Sequence, residues 1–386
     1  MSNLDSWLDE LRARHREWSP EELAEALAGP EPPLLLDVRE PDEWSTGHVP
    51  GASHLPRGLL EVRCGEILPD RARRTVLYCA GGVRSLLAVE SLARLGYEDL
   101  VSLRGGVAAW SRSGGELTTP RVLDSAQRAR YARHLTIPEV GEEGQARLLA
   151  GRVALVGAGG LGSPAALYLA AAGVGQLTVI DDDRVEASNL QRQVLHDTPG
   201  VGRPKTESAA DRLTALNPDV TVTPVTQRLV AANVEELLGG HDVVVDGADN
   251  FSTRYLVNDA CVRLGLPAVH GSVHRFEGQV TVFWAGKGPC YRCLFPEPPP
   301  PGLAPSCAEA GVLGVVPGVV GLLQAVEVVK LLLDAGDALV GRLLTYEALQ
   351  PAFTELKLRR DPECSHCAEG REFPGYQDLA DHCGGG

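Results

Sequence analysis

The stretch 153–183, VALVGAGGLGSPAALYLAAAGVGQLTVIDDD, constrains the fold more than any other part of this chain. The β-branched run Val153–Val156 reads as a buried parallel strand, and it breaks into a turn containing Gly157, Gly159, Gly160 and Gly162. An Ala/Leu-rich helical pattern follows from about Pro164 to Ala172. A second apolar run, Leu177–Ile180, then ends in Asp181-Asp182-Asp183. Strand, glycine turn, helix, strand and acid in this order predict the phosphate-binding unit of a doubly wound α/β fold. The glycines permit a tight turn and close backbone approach to phosphate. The helix N-terminus offers free N–H groups and a partial positive charge. Asp181 stands where a carboxylate accepts hydrogen bonds from ribose hydroxyls. The unit predicts a nucleotide without saying which.

At 386 residues the chain has room for two or three domains. A net charge of −15 argues against a general nucleic-acid binder, which needs a basic face to displace counterions. The N-terminus, MSNLDSWLDELRARHREW, is charged and amphipathic, unlike a secretory signal. The most apolar segment, Val319–Leu333, is short for a membrane span and carries Glu327 and Lys330, so it reads as a core helix. Nine cysteines in such a context predict a reducing, cytoplasmic compartment, where paired cysteines bind metal or do chemistry.

Before the nucleotide unit, Ser19 reads as the cap of a helix. Strands are expected at Leu34–Arg39, Thr75–Tyr78 and near Val101. The second of these delivers Cys79 into Cys79-Ala80-Gly81-Gly82-Val83-Arg84-Ser85, and a helix follows to about Leu95. A cysteine at a strand end, over a glycine-rich loop that opens a helix, sits in a ring of backbone N–H groups. Such a ring favours a thiolate or a bound anion, and Arg84 adds a fixed charge. The separated motifs LLLDVRE, CAGGVRS and LRGGVAAW resemble a single rhodanese sulfurtransferase domain over nearly all of residues 20–112. Related phosphatases carry five residues between Cys and Arg. The four here, Ala80–Val83, resemble the sulfur-handling enzymes, and the alternative is a buried structural cysteine in an inactive module.

The polar stretch 111–120, SRSGGELTTP, reads as a linker, giving domains at 1–112 and 124–370 joined by residues 113–123 and followed by a flexible tail, 371–386. Asn189, Arg192 and Lys205 follow the ribose acid in a loop-rich segment. The strand Val243–Val245 leads to Asp249-Asn250 at the sheet's carboxyl edge, where such folds bind ligands. Cations and an acid suit ATP with Mg²⁺ better than a dinucleotide. The pattern SNLQRQ…VGRPK…DN resembles the adenylating domain of the MoeB/ThiF family, relatives of the ubiquitin-activating enzymes. The expected fold class is therefore α/β: an N-terminal rhodanese-like α/β domain, then a Rossmann-like doubly wound ThiF/MoeB domain.

That resemblance implies roles. Asp181 matches the ribose ligand, while Asn189, Arg192 and Lys205 match polyphosphate-binding positions. Asp249, beside Asn250, matches the magnesium-coordinating acid. Arg133 corresponds to an arginine supplied across the interface of a homodimer. Independently, the pairs Cys290/Cys293 and Cys364/Cys367 offer the four thiolates that tetrahedral Zn²⁺ prefers, with two disulfides as the alternative. Cys307, after a proline run, matches a thiol that captures the activated carboxylate; a dispensable loop thiol is the other reading. The implied activity is ATP-dependent adenylylation of the C-terminal glycine of a small ubiquitin-like sulfur-carrier protein ending in Gly-Gly. Sulfur then comes from a Cys79 persulfide, itself loaded from thiosulfate or a cysteine desulfurase. Molybdopterin biosynthesis is the expected pathway, with thiamine, cysteine or siderophore sulfur and tRNA thiolation as alternatives. An NAD-dependent dehydrogenase, or a non-catalytic scaffold, are the competing classes. Neither nucleic acid nor membrane is expected as a partner.

Overall fold

The computed structural model describes residues 3–119, 123–299 and 311–379. The chain divides into two compact units, Met1–Val122 and Leu123–Gly386.

The first unit is built on five parallel strands: β1 (Arg16–Trp18), β2 (Leu34–Asp37), β3 (Ser53–His54), β4 (Thr75–Tyr78) and β5 (Leu100–Leu103). Their order is β1-β5-β4-β2-β3. Ser19 caps helix Pro20–Leu27 in a reciprocal box: its Oγ accepts from the Glu22 N–H, and the Glu22 carboxylate accepts from the Ser19 N–H at 2.7 Å. The strand β4 is central and buried along its whole length, as its unbroken TVLY run requires. It ends at Cys79. Part of the predicted linker belongs to this unit, because His48 and Thr118 exchange backbone hydrogen bonds at 2.8 and 2.9 Å and Trp110 Nε1–H donates to the Glu116 carbonyl. Polar composition suggested a free connector over 113–123, but a backbone partner at His48 pins it as far as residue 118.

The second unit has eight strands: β6 (Arg152–Val156), β7 (Gln176–Ile180), β8 (Thr221–Val225), β9 (Val243–Asp246), β10 (Ala268–His274), β11 (Glu277–Phe283), β12 (Arg342–Glu347) and β13 (Ala352–Lys357). They are ordered β13-β12-β11-β10-β9-β6-β7-β8. The strands from β10 to β8 are parallel, and β11 to β13 add an antiparallel extension. The chain leaves β6 toward β7 and β8, then returns to lay β9 on the other side of β6. That reversal is the topological switch point, and it opens a crevice at the carboxyl ends of β6 and β9. Alternate residues of β6 feed two cores. Val153 and Leu155 pack with Ala165, Leu169 and Val320 on one face, while Ala154 and Val156 pack with Val244, Tyr255 and Ala260 on the other.

Helix Val315–Leu333 starts four residues before the apolar run that predicts it, and its 19 residues reach membrane-spanning length and hydropathy. It is a core helix here: Val316, Val320 and Val328 are fully buried against the sheet. Its buried Glu327 accepts from the Leu339 N–H at 2.8 Å and pairs with Lys330. The composition of residues 371–386 suggested a loose tail, but up to Leu379 the segment is docked. Tyr376 O–H donates to Glu235 at 2.6 Å, Asp378 accepts from the Ala231 N–H at 2.8 Å, and Tyr376 and Leu379 cover the second core. Phe373, packed edge-on against His366 and Tyr376, adds a further apolar contact to a tail whose composition is mostly polar.

Candidate functional site

At the switch point the glycine turn is held by sterics that only glycine satisfies. Gly157 adopts φ +96°, and a Cβ there would lie 2.9 Å from the Gly247 carbonyl. A Cβ on Gly162 would collide with the Gly157 carbonyl. The turn thus packs backbone to backbone against the β9 loop, an approach that a side chain at either position would block. Asp181 binds the turn from the end of β7: its carboxylate accepts from the N–H groups of Ala158 and Asp183, both at 2.8 Å. Burial raises the Asp181 pKa above the usual carboxylate value, against the opposing pull of Lys205 and those two N–H groups.

Lys205 is 4% exposed and places Nζ 2.7 Å from the Asp183 carboxylate. Arg192 donates to Asn189 Oδ1 at 3.0 Å, and its aliphatic stem passes 3.5 Å from where a Gly160 Cβ would be. Asp249 is exposed beside Asn250, whose Oδ1 caps helix Phe251–Leu264 by accepting from the Thr253 N–H at 2.9 Å. Gly157, Gly159, Gly160, Gly162, Asp181, Arg192 and Lys205 thus share one edge of the sheet with the β9 loop that carries Asp249. Such a set can seat a nucleotide polyphosphate, with an exposed acid to face a divalent cation. Arg133 is exposed on helix Ala132–Leu135 and makes no side-chain bond among the described residues. Cys307 lies outside the described residues.

In the first unit, Cys79 is 1% exposed, and its Sγ accepts from the Gly82 N–H at 3.1 Å. Ser85 Oγ stands 3.7 Å from the same sulfur. Beneath it, the Val107 N–H donates to the Cys79 carbonyl at 2.8 Å, and a Cβ on Gly106 would strike that carbonyl. This close approach explains Gly106 of the third motif, while a Cβ on Gly105, at φ +73°, would meet the Ala109 Cβ at 2.7 Å. Arg84 forms a two-pronged ion pair with Glu43, both contacts at 2.6 Å. The pairing holds the Glu43 carboxyl down at about 2 and pushes Arg84 further up. The cradle can hold a sulfur anion on backbone N–H groups with Arg84 at its rim.

The four cysteines of the second unit converge. Sγ–Sγ distances are 3.9 Å for Cys290–Cys293, 3.6 Å for Cys290–Cys364 and 3.4 Å for Cys293–Cys367, with all four sulfurs within 4.8 Å of one another. These are non-bonded thiols, far beyond a disulfide's bond of about 2.05 Å. A zinc–sulfur bond of about 2.3 Å in a tetrahedron gives sulfur edges of about 3.8 Å, so the residues fit that ion. Burial pushes the Cys290 thiol up and Cys293 to about 11, whereas N–H groups of His366 and Cys367 outweigh burial and lower Cys364.

Residues with no sequence motif organise that cluster. Asp259 takes two hydrogen bonds from Arg292, both at 2.8 Å, and lies 3.5 Å from His366 Nε2. Arg292 sits inside the first Cys pair and His366 inside the second, so one buried carboxylate ties both loops to helix Phe251–Leu264. Asn258 adds a bond from the Tyr291 N–H at 2.7 Å. The sequence also gives no warning of Glu43, or of the buried pair Asp246–His270 at 2.7 Å on β9 and β10. For Asp246 and His270 the one available signal was an ionisable residue in or at the end of an apolar run.

Residues 131–366 match the ThiF family, and residues 19–113 match the rhodanese-like domain. The chain belongs to the ThiF family. It is similar to the SAMP-activating enzyme E1 of Haloferax volcanii, with 58% identity over 248 residues, covering 64% of this chain and 92% of that protein. It is 53% identical over 258 residues to the sulfur carrier protein adenylyltransferase of Thermus thermophilus, covering 66% and 94%. It is 46% identical over 309 residues to the bovine (Bos taurus) adenylyltransferase and sulfurtransferase MOCS3, covering 78% and 68%. Among solved structures, E. coli MccB shares the fold at a TM-score of 0.56 and 24% identity, over 62% of this chain and 75% of that one. This ThiF-family chain therefore carries its rhodanese-like domain ahead of the doubly wound one.

Proposed function

We propose that the chain activates the C-terminal glycine of a small ubiquitin-like sulfur-carrier protein as an acyl-adenylate and then sulfurates it. A carboxylate oxygen of the carrier attacks the α-phosphorus of ATP and pyrophosphate leaves. The turn's N–H groups, Arg192 and Lys205 position and neutralise the phosphates. Asp249 and its neighbours would hold Mg²⁺, which offsets charge on the leaving group. The terminal sulfur of a Cys79 persulfide then attacks the acyl carbon and expels AMP, giving an acyl disulfide. A thiol reductant cleaves that disulfide, delivering two electrons, and releases the carrier thiocarboxylate with Cys79 restored. Capture of the acyl group on Cys307 is an alternative intermediate.

The observation that carries this reading is the coexistence, in one ThiF-family chain, of the polyphosphate cluster at the switch point and a sulfur cradle at Cys79. Fusion raises the local concentration of persulfide near the adenylate. The Cys₄ cluster would hold Zn²⁺ in a structural role. Molybdopterin biosynthesis is the pathway we assign, in the cytoplasm, with thiosulfate or a cysteine desulfurase as sulfur source. The protein would act as a homodimer in which Arg133 reaches the other subunit's nucleotide. Incubation with ATP and a Gly-Gly-ending carrier should release pyrophosphate, and Asp249→Ala should stop it. Cys79→Ala should keep pyrophosphate release and lose the sulfur-for-oxygen mass gain on the carrier. Full activity in Asp249→Ala would refute the site, and thiocarboxylate formation by Cys79→Ala would refute the sulfur route.

A further inference from the structure

Under the glycine turn lies a histidine that the phosphate-contacting set leaves out. His196 follows the loop bearing Asn189 and Arg192 and is 7% exposed. Its Nε2 is 3.0 Å from the Ala158 carbonyl and its Nδ1 is 3.0 Å from Ser208 Oγ. A carbonyl only accepts, so Nε2 carries the proton and Nδ1 accepts from the Ser208 hydroxyl. The Ala158 peptide is the second residue of the turn. It is gripped at both ends: Asp181 takes its N–H and His196 its carbonyl, with Ser163 Oγ–H as a second donor at 3.2 Å. The orientation of that peptide fixes the direction in which the following turn N–H groups point.

We infer that neutral His196 is a positioning residue for the nucleotide site, holding the Ala158 peptide so that the turn is preset for phosphate. The inference rests on the nucleotide reading above. His196 touches no phosphate; it acts through Ala158. Its neighbours also disfavour the charged ring. Burial is the main cause and Lys205 adds repulsion; the bond to the Ala158 carbonyl and the carboxylates of Asp181 and Asp197 oppose these only in part, so its pKa lies below the usual histidine value. Protonation would give Nδ1 a proton where Ser208 now donates, and would place a second cation beside Lys205. The ring is therefore held in the neutral form to which Ser208 donates.

The test is direct MgATP binding by calorimetry on the full chain, comparing wild type with His196→Gln and His196→Phe at pH 8. A glutamine amide can keep a donor toward Ala158, whereas phenylalanine keeps only the ring. With Ser163 still present, His196→Phe should weaken MgATP by about 5- to 10-fold at pH 8, the low end for stranding a buried acceptor. His196→Gln should stay within about 3-fold of wild type. A folded His196→Gln weakened by more than about 3-fold would overturn the inference even if the phenylalanine variant fails to fold. A folded His196→Phe with wild-type affinity would do the same. Wild type that binds no MgATP would instead remove the nucleotide site and this inference with it.

Discussion

Replacing Asp259 by asparagine tests whether one buried carboxylate organises the cysteine cluster. Asp259 is 2% exposed and takes both Arg292 contacts at 2.8 Å. Asparagine keeps the shape and one acceptor oxygen but turns an amide toward the guanidinium. Stranding one partner of a buried ion pair costs roughly 3–5 kcal/mol. Arg292 keeps some relief, because its side chain is 10% exposed and Nη1–H still donates to the Pro296 carbonyl at 3.2 Å. The low end applies, about 3 kcal/mol, which lowers Tm by about 6–12 °C for a unit of this size. Both Cys loops lose their shared anchor as well, and loss of such outer partners weakens metal binding by about 10- to 100-fold. Calorimetric melting and zinc competition against a colorimetric chelator read the two effects separately. Burial alone would raise the Asp259 pKa, but Arg292 and His366 outweigh it and hold it below the ordinary value. The carboxylate's stabilisation is therefore complete above about pH 4 and declines as pH falls below that. Wild-type Tm and zinc affinity in Asp259→Asn would refute the reasoning, and a lower Tm with unchanged zinc affinity would refute the anchoring part.

Gly162→Ala should abolish pyrophosphate release while leaving Cys79 chemistry intact, since its Cβ has no space beside the Gly157 carbonyl; parallel assays of the two half-reactions check this. Glu43→Gln should cost the first unit about 1 kcal/mol or less, because the Arg84–Glu43 side chains are 34% and 30% exposed and screened. The native Glu43 carboxyl titrates at about 2 against an ordinary 4.5, so wild type should lose this contribution between those pH values and the variant should not; acid unfolding followed by circular dichroism compares them. Cys364→Ser should lower bound zinc to well below one per chain by elemental analysis, and an unchanged stoichiometry would remove the tetrahedral assignment.

Much of the site was legible because its requirements are local. A tight turn needs glycine at φ +96°, and a buried parallel strand needs an apolar run, so Val153–Asp183 encodes its own conformation. The Cys79 loop and the CxxC pairs are short motifs for the same reason. The seven glycine, Asp181, Arg192 and Lys205 positions named from sequence do gather at one sheet edge. Arg133 makes no side-chain bond among the described residues, and Cys307 lies outside them. The polar connector and the tail were misjudged where isolated partners, His48 for Thr118 and Glu235 for Tyr376, lie far along the chain.

Taken alone, the sequence determined the parallel strands and the glycine turn, together with the kinds of group, thiols and acids and cations, that the chain can bring to chemistry. Only the tertiary structure decided which of them hold one another. Asp259 serves two Cys loops and His196 grips a carbonyl 38 positions away. Pairing between distant buried polar groups is set by how strands and helices stack, and a single lysine, aspartate or histidine carries no periodicity that records its partner.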